Sequence, residues 1–210
     1  VAKLFKNVYY NARETIGEHK RDIVVHKVEQ ACVSLQDTRN EFEDALTKFK
    51  ALIYVSESGL EQKYNLLNRQ YQFCQTKSDA VSARIHAIEE VSNALFAEWE
   101  NELNEYTNRS MRNSSKQKLK TAKQNYARLI KTMRQAEAKI HPVLASFKDQ
   151  VLFLKHNLNA RAIASLHHEF IEISLDISQL IHAMELTISE ASQFVSLLSD
   201  QRKQLSYPTS

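Results

Sequence analysis

Leu60, Tyr64, Leu67, Tyr71, Cys74, Ser78, Val81, Ile85, Ile88, Ser92, Leu95, Trp99, Glu102 and Tyr106 follow one another at steps that alternate strictly between four and three residues. That repeat holds one stripe of an α-helix against a partner, and a β-strand, with its period of two, cannot use it. One helix of about 48 residues would be roughly 70 Å long. Nothing of that length is stable alone in water, so the rest of the chain has to supply the surfaces that cover it.

Three more stripes are present. The first helix is expected from near Leu4 to Val55, with a seam through Phe5, Tyr9, Ala12, Ile16, His19 and Ile23, then Val25 or Val28, then Cys32, Leu35, Phe42, Leu46, Phe49 and Ile53. Ser56 to Gly59 form the first turn. The polar stretch from Thr107 to Ser115 follows the second helix, and its serines and asparagines can cap a new one. The third stripe runs from Leu119 through Tyr126, Met133, Ile140 and Phe147 to Leu154; Pro142 interrupts it without a change of phase, which reads as a kink in a continued helix. Lys155 to Asn159 turn the chain, and the fourth stripe runs Ile163, Leu166, Phe170, Ile173, Ile177, Leu180, Met184, Ile188, Ala191, Val195 and Leu198. With only two glycines and two prolines, the chain lacks the punctuation of a sandwich or an α/β fold. The expected fold is all-α, an elongated antiparallel four-helix bundle with coiled-coil-like packing: one domain over residues 1–200 and a frayed polar tail over 201–210.

Charge sets the next limits. The formal net charge of +3 is too close to balance to imply nucleic acid as a partner. It is unevenly placed, however. Residues 112–139 hold nine basic side chains against Glu137 alone, whereas residues 84–105 hold six glutamates against Arg84. A hairpin turning near residue 110 lays these runs side by side, so Lys116, Lys120, Lys123 and Arg134 are expected around the acidic part of the second helix, though not all in direct pairs. Glu102 falls on the seam, and a buried carboxylate must be paired or protonated. Leu103 is therefore expected to take the core position, with Glu102 pairing at the edge with a basic residue of the third helix. No apolar window is long enough to cross a membrane. The chain opens at Val1, which points to a segment removed upstream. Cys32 and Cys74 lie on neighbouring helices with an axial mismatch of about 18 Å, too far for a disulfide, and are expected as free thiols.

The search for chemistry yields little. A di-iron bundle requires Glu-x-x-His on two helices, and only the reversed spacings His86 to Glu89 and His182 to Glu185 occur. Glycine-rich phosphate loops, nucleophile elbows, His-Glu-x-x-His helices and Cys-x-x-Cys pairs are missing from the sequence. No cofactor is implied, and the reading points away from an enzyme. His141, just before Pro142, and His167 on the fourth helix are the metal candidates, but an even bundle separates them by about 9 Å along the axis. Asp149, Lys155, His156, Asn157, Asn159 and Arg161 gather polar groups at one end of the bundle and form the candidate interaction site.

Three segments carry more than periodicity: GEHKRDIVVHKVEQA at residues 17–31, LFAEWENELNEY at 95–106, and IHPVLASFKDQVLFLKHNLNARAIASL at 140–166. Together they resemble the bacterial family known as domain of unknown function 2959, over nearly the whole chain. At position 26, where similar proteins tend to carry an acidic residue, this chain has His26. The resemblance implies an export signal, often followed by a lipid-attachment cysteine. It thus implies the periplasmic side of the Gram-negative envelope, with peripheral membrane contact through a removed N-terminal lipid anchor. It supplies no catalytic residues. The expected function is a non-catalytic structural or protein-interaction module of the bacterial cell envelope, its partner another envelope protein or a second copy of itself. The alternative is a metal-dependent hydrolase or a small-ligand-binding bundle that uses polar residues around Pro142.

Overall fold

A computed structural model describes residues 20–54, 59–157 and 160–206, with side chains of the last segment described from Ser165 to Leu198. They form four α-helices, α1 (Lys20–Tyr54), α2 (Leu60–Glu102), α3 (Arg109–His156) and α4 (Ala160–Ser206), and no strand occurs among them. The protein is an all-α antiparallel four-helix bundle. The part of the first helix expected before Lys20, including His19, lies outside the described residues, as do Asn159 and the last four residues of the tail.

Along α1, the buried positions Val24, Val28, Ala31, Leu35, Thr38, Phe42, Ala45, Phe49 and Leu52 alternate in steps of four and three. The seam therefore passes one residue before Cys32 and Leu46, which lie half-buried beside it. Small residues at three of its positions interdigitate with larger ones across the interface, which is why apolarity alone points to the wrong neighbour. Thr38 can sit there because its hydroxyl has two carbonyls within reach, Ser34 at 2.7 Å on its own helix and Lys77 at 3.2 Å on α2.

The α2 stripe is buried as expected from Leu67 to Trp99, except that Gln70 takes the seam and Tyr71 is half-buried beside it. Gly59 precedes the helix with φ of +89°, a left-handed conformation open to glycine at no steric cost. At its other end α2 stops at Glu102, four residues short of Tyr106, which is exposed. Asn104 and Glu105 N–H groups donate to the Asn101 and Glu102 carbonyls, both at 3.0 Å, tightening the last turn into 3₁₀ form. Leu103 then folds into the core. Asn108 Oδ1 accepts from the Ser110 and Met111 N–H groups at 2.9 and 3.1 Å, capping α3. The connection is thus residues 103–108, and the polar stretch from Arg109 onward is helical.

Helix α3 runs unbroken through Pro142 for 48 residues. Its buried set, Leu119, Ala122, Leu129, Met133, Ala136, Ile140, Val143, Phe147, Val151 and Leu154, is the expected stripe apart from Tyr126, which is half-buried. On α4 the core takes Thr187 and Phe194, while Ile188 and Val195 sit half-buried alongside. Thr187 is satisfied as Thr38 is, by the Ala183 carbonyl at 2.8 Å and the Thr132 carbonyl of α3 at 3.2 Å.

Packing divides into two compact units, each containing parts of all four helices. The first takes in Val1–Cys32, Arg84–Lys131 and Glu190–Ser210; the second takes in Val33–Ala83 and Thr132–Ser189. In the second, Asp37 pairs with Lys77, Tyr71 packs on Phe147, Gln150 donates to Glu169 and Arg39 pairs with Glu185, so each helix is joined to its neighbours around the ring. Phe49 is the hub, with Phe147 stacked at 6.3 Å and Phe170 edge-on at 5.4 Å. In the first unit Trp99 is the hub: its indole N–H donates to Ser115 Oγ at 2.9 Å, and the Arg21 guanidinium lies 4.0 Å from the ring centroid.

Candidate functional site

The polar end of α3 is built by helix termination. Lys155 and His156 occupy the last turn, where positive charge complements the helix dipole. Asn157 closes the helix: its backbone N–H donates to the Leu154 carbonyl at 3.3 Å and its Nδ2 to the Phe153 carbonyl at 3.0 Å. Asp149, Lys155 and His156 are exposed. Asn159 lies outside the described residues, and Arg161 is placed only as backbone in the first turn of α4. Of the six residues grouped by sequence, Asn157 thus has a defined structural task.

The two metal candidates have separate surroundings. His167 is exposed and presents its ring edge to Tyr54 at 5.0 Å. His141 lines a groove of about 230 Å³ between α2 and α3, together with Tyr71, Asp79, Ser82, Glu137 and Lys148. Glu137 organises that groove. Burial favours its neutral form, but hydrogen bonds from Ser82 and Arg134, with the charges of Arg134 and His141, outweigh burial and hold the carboxyl below its ordinary range. Arg134 Nη1 donates to it at 2.7 Å. The Ser82 hydroxyl is therefore engaged in holding the Glu137 carboxylate, joining α2 to α3. Among the described residues, no three His, Cys, Asp or Glu side chains converge as metal ligands.

The acidic run of α2 is answered from two sides. Lys123 of α3 reaches Glu100 at 2.5 Å, and Lys20 of α1 reaches Glu98 at 2.6 Å. Glu102 is exposed beside the buried Leu103, as expected, but its cationic neighbours are Arg21 and Lys20 of α1 rather than a residue of the third helix. Partial burial, then Glu98 and Glu105, raise its pKa against the pull of Arg21 and Lys20. Arg21 is itself lowered by burial, with Glu102 opposing the shift. Arg134 turns to Glu137 of its own helix, away from the acidic run, and Arg128 faces Glu190 of α4 at 3.8 Å. The signal for Lys20 and Arg21 is present in the HKRD segment, two helices before the basic run of α3.

A second groove, of about 760 Å³, lies between the end of α2 and the beginning of α3 and is lined by Glu100, Leu103, Lys116, Leu119, Lys120 and Lys123, among others. Pairing across helices, caps and a lysine-edged groove belong to an all-α bundle in which some polar side chains join neighbouring helices and others close on their own helix. The family model for proteins of unknown function, DUF2959, matches residues 9–198, and the chain belongs to that family. No curated protein matches the chain.

Proposed function

We propose that this protein is a non-catalytic structural or protein-interaction module of the bacterial cell envelope. The observation that supports the reading is where the distinctive polar side chains are engaged. Arg21 lies over Trp99, Trp99 donates to Ser115, Lys20 pairs with Glu98, Arg39 with Glu185, and Ser82 with Arg134 holds Glu137. Each contact joins neighbouring helices or fixes a group that does so, and a module of this kind offers its outer faces to another envelope protein or to a second copy of itself. Placement on the periplasmic side, with a lipid anchor upstream, is part of the proposal and rests on the resemblance of the three sequence segments to exported proteins. No helix among the described residues is long and apolar enough to cross a membrane.

The hydrolase reading would need His141, His156, His167 and Asp149 in one cleft, and the groove at His141 contains none of the other three. The ligand-binding reading would need open apolar space near Phe147, Phe153 and Phe170. There Phe49 fills the interior against Phe147 and Phe170, while Phe153 is 39% exposed. Elemental analysis of protein purified without a histidine tag or added metal tests the proposal. The expected result is no transition metal at stoichiometric level. One tightly bound metal per chain, lost in His141→Ala with His167→Ala, would contradict it.

A further inference from the structure

On α4, within the second unit, Ile171, Leu175, Ser178, His182 and Leu186 follow one another at steps of four, three, four and four residues. That spacing puts them on one face of the helix, the face turned away from the core residues Ile173, Ile177, Leu180 and Met184. All five are exposed, the apolar Ile171, Leu175 and Leu186 by 65%, 60% and 53%. The core is already filled by its own stripe, and a row of large apolar side chains on an outer face marks a contact with another molecule. Ser178 in the middle of the row is ready for burial, because its hydroxyl donates to the Ser174 carbonyl of its own helix at 2.8 Å. Glu172 and Asp176 lie about a quarter to a third of a turn to one side of the row, and between Ser165 and Leu198 the helix has no lysine or arginine.

We infer that this face is where a second copy of the chain docks, α4 antiparallel against α4, about a two-fold axis between Ser178 and Gln179. The inference rests on the interaction-module reading and narrows its partner to the chain itself. The row is self-complementary about that axis: Ile171 falls opposite the partner's Leu186, and Leu175 opposite the partner's His182. Each contact is made twice, as an isologous interface requires. Ser178, the smallest side chain of the row, lies next to the axis and lets the two helices approach closely. An anionic membrane surface is disfavoured, since it repels Glu172 and Asp176 and finds no cation on this helix between Ser165 and Leu198. A cationic helix of another protein would neutralise those two carboxylates, but they stand beside the row rather than in it, so the apolar match decides. Three apolar side chains from each copy cover less surface than a permanent dimer does, and the association is therefore reversible and concentration-dependent.

Sedimentation equilibrium of the full chain, from low micromolar to submillimolar concentration, tests this. The expected result is a monomer–dimer equilibrium that holds or tightens as sodium chloride is raised, because salt screens the like charges and leaves the apolar contact. Ile171→Glu with Leu186→Glu sets carboxylates face to face at both ends of the row and should weaken the dimer about tenfold or more. Ser178→Cys should form an interchain disulfide under mild oxidation, whereas Glu172→Cys, about 20 Å along the helix from its symmetry mate, should not. All four positions are exposed, and circular dichroism verifies that the helices are retained. A monomer at every concentration overturns the inference and leaves the module reading, which is tested by metal content, as it was. A dimer that survives the glutamate pair, dissociates in salt, or crosslinks through residue 172 in preference to 178 also overturns it. A monomer that instead binds phosphatidylglycerol vesicles or a leucine–lysine amphipathic peptide through the same side chains assigns the row to that partner.

Discussion

Ile85→Asp is expected to leave the protein largely unfolded under conditions where the wild type is folded. Ile85 has no solvent exposure and sits mid-seam on α2, in register with Ile88 and Val81. A carboxylate there has two options, and both are costly: ionised, it is an unpaired charge in an apolar interior; protonated, it is an unsatisfied hydroxyl and carbonyl beside a lost aliphatic contact. Substitutions of this type fall at or beyond about 4 kcal/mol, a large part of the 5–15 kcal/mol by which domains are stable. Ile85→Val, which removes one methylene, should cost only about 1 kcal/mol. Urea denaturation followed by circular dichroism measures both. An Ile85→Asp midpoint near that of the wild type would mean that Ile85 does not face the core.

Phe49→Ala should be the most damaging truncation in the second unit. The ring is 1% exposed and touches Phe147 and Phe170, and Phe147 in turn carries Tyr71 edge-on at 6.0 Å. Removing it takes away the transfer free energy of a buried aromatic side chain and opens a cavity that three large neighbours cannot all collapse into. About 3–5 kcal/mol is expected. Tyr54→Ala supplies the contrast: its ring also makes an edge contact, with His167, but is 66% exposed, and a loss under about 1 kcal/mol is expected. Equal losses at the two positions would contradict the assignment of Phe49 as the hub.

How much of this was legible in the sequence differs from helix to helix for physical reasons. On α2 and α3 large apolar residues recur at nearly every seam position between polar neighbours, so the stripe declares itself. On α1, Ala31, Thr38 and Ala45 hold the seam while Cys32 and Leu46 next to them are larger or more apolar. Reading for apolarity selects the wrong neighbour, because close helix approach rewards small side chains. The same displacement occurs on α4, where Thr187 wins over Ile188 by bonding two carbonyls. The end of α2 was misplaced because Tyr106 continues the repeat on paper, whereas the 3₁₀ turn after Asn101 and the cap at Asn108 are settled by local hydrogen bonds that periodicity does not encode. Charge complementarity between α2 and α3 was correctly anticipated for Lys123. The share taken by Lys20 and Arg21 was not, because it depends on which faces of α1 and α2 meet. The histidines illustrate the limit most plainly: spacing could nominate His141 and His167 together, and only coordinates place one beside Glu137 and the other on Tyr54.

Helix register decides which side chains meet in the core, and the two native thiols report it directly. Cys74 is fully buried in the α2 seam, and burial, with Glu41 and Asp44 adding to it, pushes its thiol far up from the ordinary range. Cys32 is half-buried beside the α1 seam, its thiol raised to about 11 by burial and then by Glu29. Only the thiolate reacts, so both should label slowly at pH 8, but through different routes. Timed alkylation of the native protein, with each site quantified by peptide mass spectrometry, is the measurement. Cys32 should be modified first, at a rate that climbs with pH, and Cys74 only as fast as the bundle unfolds, with both thiols accessible in urea. Modification of Cys74 at the rate of Cys32 or faster would contradict the register on which the bundle is built.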